Sequence, residues 1–319
     1  MTRMGDGPEF DRIRGIVEAL GDAAGDLGDD AGEIPAGEGT LVASTDASVE
    51  HVHFQRDWLS AEEIGWRSAA AAVSDLSAQG AEPVAILVAL ALPATTPESE
   101  ISGVMRGVGA VARAARAKVA GGDLVRARDW TVTVTVLGRA ERPVRRSGAS
   151  PGDKLWVTGT LGGARAALDA WLDGRVPPAG ARQVFAHPPL RVEAGRWLAA
   201  HGATAMLDLS DGLAADIQHL ASASGVAATL TLERVPVEPD AAVAAVAQGT
   251  DPTLYAAEGG EDYELLVAMP SDFGDVGVRE FEHATGHGIT LVGTLERGSG
   301  VRLLLRGERI RATGFDHFR

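Results

Sequence analysis

Acidic residues that stand beside glycine or a hydroxyl side chain recur along this chain. The segments are Gly28-Asp29-Asp30, Ser44-Thr45-Asp46, Ser74-Asp75-Leu76, Gly121-Gly122-Asp123, Asp208-Leu209-Ser210-Asp211-Gly212 and Gly259-Gly260-Glu261-Asp262. Carboxylate oxygens are hard ligands of the kind that Mg²⁺ takes together with phosphate and water. Neighbouring glycines let backbone N–H groups approach phosphate oxygens. The pattern therefore predicts a site where aspartates hold metal ions against a polyphosphate.

Each segment also has an ordinary structural explanation. Asp211 could simply cap a helix that begins near Leu213, and a lone Gly-Asp pair could form a turn. Asp208 is harder to explain, because it closes an apolar run at a predicted strand end, where open α/β sheets place ligands. An arginine partner would be the structural explanation for Asp208.

Asp75 is the other aspartate that needs a special explanation. It lies inside a predicted helix, on the stripe that also carries Trp66, Ala69 and Ala72. Burying even a neutral polar group costs about 2–7 kcal/mol. We therefore expect either a polar partner or a cation beside the Asp75 carboxylate.

Three other groups are weaker candidates. The turn Gly159-Thr160-Leu161-Gly162-Gly163 lacks the Gly-Lys-Ser/Thr ending of a P-loop, which favours a plain turn over a phosphate loop. His51 and His53 share one face of a predicted extended segment, but without a third ligand at matching spacing zinc is not expected. Arg145 and Arg146 are either surface charges near a linker or bidentate partners for phosphate.

The composition restricts the class of protein. There are 29 basic and 44 acidic residues, a net charge of −15, so the surface should repel nucleic acid and anionic lipid. No apolar run reaches the length of a membrane span, and the N-terminus lacks the apolar core of a secretory signal. The absence of cysteine excludes disulfides and thiol catalysis and fits a cytoplasmic protein.

The predicted elements alternate between strands and helices. An amphipathic helix lies within residues 1–25, a Gly/Asp-rich loop spans 21–39, and a strand at 40–44 stops at Asp46. A capping box, Ser60-Ala61-Glu62-Glu63, opens a helix that runs to about Gln79 and stops at Gly80. The strand 84–92, the helix 98–118 and the strand 130–137 follow.

The basic, Pro/Gly-containing stretch 139–153 is the predicted boundary between two domains. We expect domains at 1–140 and 150–319, joined by a linker at 141–149. The second domain has predicted strands at 154–158, 204–209, 228–232, 263–268, 289–294 and 301–305, and predicted helices at 164–172, 191–201 and 213–223. The fold class is therefore α/β (α+β), with two domains and mixed sheets.

Taken in order, these segments resemble the thiamine-monophosphate kinase family. The resemblance also includes His53-Phe54, Gly80-Ala81-Glu82-Pro83, Arg146-Ser147-Gly148, Gly259-Gly260-Glu261-Asp262-Tyr263-Glu264-Leu265 and Asp316-His317-Phe318. It implies ATP-dependent phosphorylation of thiamine monophosphate to thiamine diphosphate. It also implies an aminoimidazole-ribonucleotide-synthetase-like fold, a homodimer joined through N-terminal-domain sheets, and active sites in clefts between domains.

The family's functional positions carry over residue by residue. The resemblance implies Mg²⁺ ligands at Asp30, Ser44, Thr45, Asp46, Asp75, Asp123, Asp208 and Asp211. It implies ATP contacts at Gly121, Gly122, Arg146 and Ser210, and thiamine-monophosphate contacts at His53, Glu261 and Phe315. Phe315 departs from the family, which usually has Tyr or Trp there, Leu124 replaces a hydroxyl residue, and Pro8 interrupts the usual Gly-Glu-Phe start.

The reaction implied by the resemblance needs no general base. The acceptor is a phosphate monoester whose second pKa is near 6, so it is largely ionised at neutral pH. Repulsion between two polyanions opposes the transfer, and Asp46, Asp75 and Arg146 would act by positioning and charge stabilisation, the aspartates through several Mg²⁺ ions.

Rival assignments fit the residues less well. Selenophosphate synthetase and the hydrogenase-maturation dehydratase normally rely on cysteine or selenocysteine, and the purine-pathway synthetase does not match Gly-Gly-Glu-Asp-Tyr-Glu-Leu or Asp-His-Phe. A catalytically silent nucleotide or cation sensor would have lost acids from the segments, and all the acids are present.

Overall fold

The computed structural model describes residues 8–24 and 37–312, with side chains from Arg14 onward. The chain divides into two compact units. The first unit comprises Met1–Leu76 and Ala81–Glu141, and the second comprises Ser77–Gly80 and Arg142–Arg319. Among the described residues, no helix combines the length and apolar composition needed to cross a membrane.

The first unit consists of helices and one four-stranded sheet. In chain order it contains α1 (Pro8–Leu20), β1 (Thr40–Val49), α2 (Ala61–Ala78, whose last two residues belong to the second unit), β2 (Glu82–Leu92), α3 (Glu98–Ala114), β3 (Lys118–Arg126) and β4 (Thr131–Ala140). The strand order is β1-β4-β2-β3. β2 and β3 are parallel and the other pairs are antiparallel, so the sheet is mixed as predicted.

Local signals explain several of these elements. The capping box is formed, because the Ser60 backbone N–H donates to Glu63 Oε2 at 2.8 Å and the Glu63 N–H donates to Ser60 Oγ at 3.3 Å. Gly80 ends the α2 region with a φ of 64°. The alternation of Thr and Val in β4 buries Val132, Val134 and Val136 on one face.

Two predictions for this sheet were wrong. β1 does not stop at Asp46 but continues to Val49, because β4 pairs with it without interruption from Thr40↔Ala140 to Val49↔Thr131. The predicted helix 98–118 ends at Ala114, and residues from Lys118 onward form β3, a strand that was not predicted and that carries Gly121-Gly122-Asp123. The glycine-rich sequence of β3 gave no apolar alternation by which it could be predicted.

The second unit contains most of the helices and a seven-stranded sheet. Its elements are β5 (Lys154–Thr158), α4 (Gly163–Leu172), α5 (Ala179–Ala186), α6 (Val192–Ala200), β6 (Ala205–Asp208), α7 (Leu213–Ser224), β7 (Ala227–Thr231), α8 (Pro239–Ala247), α9 (Pro252–Ala257), β8 (Leu265–Met269), α10 (Gly274–Thr285), β9 (Ile289–Glu296), β10 (Gly300–Leu305) and β11 (Glu308–Ile310). The predicted elements of this half are present, whereas α5, α8, α9, α10 and β11 lie where none was predicted.

Alternate residues of the central strands face two separate cores. The strand order is β11-β10-β7-β9-β5-β8-β6, and β7–β10 is the parallel pair. Leu155 and Val157 of β5 pack into a core that includes α7 and α9. Trp156 packs into another core with residues of α6 and α10. The sheet is therefore covered on both faces, which explains why its central strands are apolar throughout.

Candidate active site

Two aspartates of the first unit lie close together on regular elements. Asp46 is on β1 and Asp75 is on α2, and Ser44 Oγ donates a hydrogen bond of 2.5 Å to Asp75 Oδ2. Burial, and then the negative charge of Asp75, raise the pKa of Asp46 to about 6. The predicted polar partner of Asp75 is therefore Ser44. Thr45 points away from this pair, because its Oγ1 lies 2.8 Å from Thr135 Oγ1.

The register of the sheet continues from Asp46 to the predicted ATP-binding glycines. Asp46 pairs with Val134, which is also paired with Val88, and Val88 pairs with Gly122 on β3. A Cβ on Gly122 would lie 2.0 Å from the Val88 carbonyl oxygen, so β3 can approach β2 this closely only with glycine at that position. Asp46, Val134, Val88 and Gly122 therefore form one row of laterally paired residues across the sheet, and the sheet fixes Gly122 in the row of Asp46.

Gly121 and Asp123 flank this position on β3. Gly121 is in the row of Thr45, since both align through Thr135 and Leu87. Asp123 is exposed, pairs with Ala89 one row further along, and its Oδ1 accepts a hydrogen bond of 2.9 Å from the Leu124 N–H.

His53 lies in a turn after β1, so the prediction of an extended segment there was wrong. His51 has a φ of 68°, and the Val49 N–H donates to His53 Nδ1 at 3.1 Å. The turn is anchored by the buried Glu50, which pairs with Arg56 at 2.9 Å and accepts a hydrogen bond from the backbone of Trp130. These contacts fix the imidazole of His53 directly beyond the strand that carries Asp46.

In the second unit, the two remaining acidic segments lie side by side. The Leu209 N–H donates to the Glu264 carbonyl, the Tyr263 N–H donates to the Leu209 carbonyl, and the Glu261 N–H donates to the Ser210 carbonyl, at 2.8, 2.9 and 2.8 Å. These bonds extend the antiparallel pairing of Asp208 with Leu265. The structure thus brings Asp208, Ser210 and Glu261 together at the end of β6.

Asp211 does not act as the helix cap that was its structural alternative. The residue at the N-cap position of α7 is Gly212, without a side-chain cap. The buried Asp216 instead reaches back from inside α7 to accept the Asp211 N–H at 3.2 Å. The Asp211 carboxylate is therefore not required to cap the helix and is available for a ligand.

Asp216 is a site residue that the sequence analysis missed. Burial, followed by the charges of Asp211 and Asp208, raises the pKa of Asp216 to about 8. Ligand atoms of Asp211, Asp216 and His219 all lie within 4.8 Å of one another, close enough to hold one cation. Asp216 falls on the apolar face of α7, and a single acid on such a face was the available signal.

Asp262 was named in the sequence analysis only as part of the segment Gly259-Gly260-Glu261-Asp262, without a role of its own. It is buried, its Oδ1 accepts the Gly162 N–H at 2.8 Å, and its Oδ2 has no hydrogen-bond partner among the described residues. Burial raises its pKa well above the usual range, and the nearby charges of Glu264, Glu261 and Asp216 act in the same direction. Acids are therefore concentrated behind Glu261 as well as around Asp211.

Arg146 is exposed and lies near β6. The carbonyl of its neighbour Arg145 accepts the Met206 N–H at 2.9 Å, and Ser224 Oγ donates to the Arg146 carbonyl. Arg146 is therefore an exposed residue whose backbone lies close to the strand that ends at Asp208. Asp30 and Phe315 fall outside the described residues.

The arrangement favours cations and phosphate over covalent chemistry. Burial and neighbouring carboxylates raise the pKa of Asp46 in the first unit and those of Asp216 and Asp262 in the second. A bound cation relieves this situation. The oxygen ligands are of the kind that Mg²⁺ prefers.

Comparison with known proteins connects this geometry to a family. The model "AIR synthase related protein, N-terminal domain" matches residues 28–140, and "AIR synthase related protein, C-terminal domain" matches residues 150–304. The thiamine-monophosphate kinase of Mycobacterium tuberculosis (strain H37Rv) is 40% identical over 245 residues, covering 76% of this chain and 74% of that protein.

Solved structures agree over nearly the whole chain. A thiamine-monophosphate kinase from Stenotrophomonas maltophilia K279a is similar with a TM-score of 0.83 at 31% identity, covering 96% of this chain and 98% of that chain. A structure described as "AaThiL complexed with AMPPCP and TMP" gives 0.79 at 30% identity, covering 100% and 99%. The chain therefore belongs to the thiamine-monophosphate kinase family, within the AIR synthase related proteins.

Proposed function

We propose that this protein transfers the γ-phosphoryl group of ATP directly, in line, to thiamine monophosphate (TMP), giving thiamine diphosphate and ADP. The observation that carries the proposal is the Asp46–Asp75 pair, two carboxylates held together in a chain of this family. A relative supports the choice of substrates, because AaThiL is described in complex with TMP and with AMPPCP, a non-hydrolysable analogue of ATP.

The described acids fit magnesium. Asp46 has the raised pKa of a buried carboxylate that faces another carboxylate, and Asp216 has the same beside Asp211. We propose that Ser44, Asp46, Asp75 and Asp123 hold Mg²⁺ in the first unit, and that Asp208 and Asp211 hold it in the second. Thr45, whose side chain points away from Asp46 and Asp75, would contribute its backbone carbonyl. Asp30 completes the proposed set. Bound Mg²⁺ would neutralise charge on the phosphate oxygens during transfer.

The protein's own groups supply positioning and charge. The acceptor oxygen of TMP is already largely ionised at neutral pH, so a residue that removes a proton is unnecessary. Arg146 would pair with phosphate oxygens through its guanidinium, and the backbone at Gly121 and Gly122 would approach the nucleotide where side chains would block it. Ser210 would contribute a further ATP contact.

Recognition of the acceptor is proposed for His53, Glu261 and Phe315. His53 is fixed by the Val49 N–H in the turn after β1, and Glu261 is fixed by the Ser210 carbonyl at the end of β6. A carboxylate at Glu261 suits the positively charged thiazolium of thiamine, because opposite charges attract most strongly where water is excluded. Phe315 would contribute an aromatic ring.

The proposal is tested by following the label from [γ-³²P]ATP. The purified protein with Mg²⁺ and TMP is expected to form labelled thiamine diphosphate, identified by chromatography against the authentic compound. Label that appears only as inorganic phosphate would contradict direct transfer, since it would show hydrolysis. EDTA in place of Mg²⁺ should suppress the labelled product.

We also propose a homodimer that forms through the first unit, within a domain 1–140 that is joined by a linker at 141–149 to the domain 150–319. One face of the four-stranded sheet is exposed, with Leu41 and Val125 showing 51% and 47% of their surface. Leu41→Asp should produce monomers in analytical ultracentrifugation. Val243→Asp, at an exposed valine of the second unit, should leave the dimer intact.

A further inference from the structure

The segment Glu261–Glu264 alternates between exposed and buried side chains. Asp262 and Glu264 are 2% and 3% exposed, whereas Glu261 and Tyr263 are partly exposed. Glu261 and Tyr263 have φ values of 63° and 51°, in the left-handed region. Such a conformation costs a non-glycine residue about 1–3 kcal/mol and persists only when the surroundings hold it. The two buried acids are the side chains that can hold it.

Glu264 is held from two sides. Arg191 forms a bidentate ion pair with it, through Nε to Oε2 at 2.6 Å and Nη2 to Oε1 at 2.5 Å. Thr158 Oγ1 donates to Oε2 at 2.6 Å and accepts the Leu265 N–H at 2.9 Å. A charge-assisted, bidentate arrangement of this kind fixes both distance and orientation. Glu264 is therefore anchored to the end of β5 and to the residue before α6.

The glycine turn after β5 receives both acids. A Cβ on Gly159 would lie 2.0 Å from Glu264 Oε1, so the carboxylate fits only because this residue is glycine. At the other end of the turn, the Gly162 N–H at the start of α4 donates to Asp262 Oδ1. The turn that resembled a phosphate loop is thus filled by the protein's own carboxylates, with Asp262 occupying the helix N-terminus.

We infer that Glu264 and Asp262 are positioning residues, which fix the backbone of Glu261 so that its carboxylate meets the acceptor substrate in one orientation. Thr158 and Arg191 act through Glu264, and the Gly159–Gly163 turn provides the space for both acids. The inference rests on the proposed function, because only there does Glu261 contact TMP. It assigns a specificity role to four side chains that do not touch the substrate themselves.

Two substitutions at Thr158 test the inference, because one keeps the size of the side chain and the other keeps its hydroxyl. Thr158→Val keeps the volume and removes the hydroxyl that holds Glu264, whereas Thr158→Ser keeps the hydroxyl. We expect Thr158→Val to raise KM for TMP about ten-fold, equivalent to about 1.4 kcal/mol, with KM for ATP and kcat changed less than about two-fold. Thr158→Ser should rescue KM, and the exposed-pair variant Glu296→Gln should leave it unchanged.

A double-mutant cycle separates positioning from a general loss of structure. If Thr158 acts through Glu261, then Thr158→Val should raise KM for TMP in the wild-type background but not in Glu261→Gln, so that the two effects are non-additive. Additive effects, or equal rises in KM for TMP and ATP, would overturn the inference. Arg191→Lys, which keeps the charge and loses the bidentate geometry, gives the same test if Thr158→Val does not fold.

The cycle also distinguishes this inference from the proposal on which it rests. If Glu261→Gln raises KM for TMP while Thr158→Val and Arg191→Lys do not, the positioning role fails and the substrate role of Glu261 stands. If Glu261→Gln itself leaves KM for TMP unchanged, both the substrate role and the positioning role are wrong.

Discussion

The two units hold their acids in different ways. In the first, Asp46 and Asp75 stand on a strand and a helix that are regular on both sides of them. In the second, Asp211 and Glu261 lie between elements, on segments joined by backbone hydrogen bonds and backed by the buried acids Asp216 and Asp262. Regular elements position a carboxylate by register alone, whereas irregular segments need additional buried polar groups to hold them.

The two units also differ in how far the pKa values of their buried acids are raised. In the first unit the pKa of Asp46 rises to about 6, while in the second the pKa of Asp216 rises to about 8 and that of Asp262 rises well above its usual range. Acids in the second unit therefore reduce the stability of the cation-free protein more. We interpret this as the consequence of holding an irregular segment with charged groups.

The largest expected effect follows from removing a charge of the first unit. Asp46→Asn or Asp75→Asn should lower kcat by at least about 10³-fold, because electrostatic stabilisation of the transferring group is lost. The far-ultraviolet spectrum and unfolding temperature should be retained, since regular elements carry these positions. Asp57→Asn, at an exposed acid of the same unit, is the control. Near-wild-type kcat in both variants at moderate Mg²⁺ would remove these acids from the site.

The next effect tests whether register positions the first unit's site. Gly122→Ala should destabilise the protein by about 1–3 kcal/mol, since its Cβ would collide with the Val88 carbonyl in the row of Asp46. Gly121→Ala should cost less, because its Cβ would meet only the end of the Leu87 side chain at 3.3 Å. Urea unfolding of the two variants measures the difference. Equal losses would show that the close approach at Gly122 has no special role.

The smallest expected effect concerns Asp262, a buried acid of the second unit. The pKa of Asp262 is raised in the folded state, so the stabilising contribution of its protonated form is complete below about pH 4 and is lost as pH rises towards the folded pKa. Asp262→Asn keeps an acceptor for the Gly162 N–H and cannot ionise. Its unfolding temperature relative to wild type should therefore increase between pH 5 and pH 8, measured in EDTA.

A constant difference across that pH range would mean that Asp262 does not titrate between the folded and unfolded states.

The sequence predicted the acids on regular elements of the first unit better than the buried acids of the second. Asp75 was located correctly because helical periodicity places it on the stripe of Ala69 and Ala72, and the capping box at Ser60 is a local signal. Asp216 was missed and the burial of Asp262 was not predicted, because both depend on the packing of α7 and of the turn at Gly162.

The errors in the first sheet have a related cause. Strand β3 and the second half of β1 are polar or glycine-rich, and they are strands because β2 and β4 pair with them. Pairing partners distant in sequence leave no local pattern, so the strand that carries Gly121-Gly122-Asp123 was not predicted. The individual roles of the site residues remain predictions.

The measurement that tests the central claim most directly is ADP release by the purified protein with Mg²⁺ and ATP, comparing TMP with thiamine as acceptor. We predict turnover with TMP and a background rate with thiamine, because only the monophosphate presents an ionised phosphate oxygen for in-line attack. Equal rates with thiamine, or no ADP release with TMP, would contradict direct transfer to TMP.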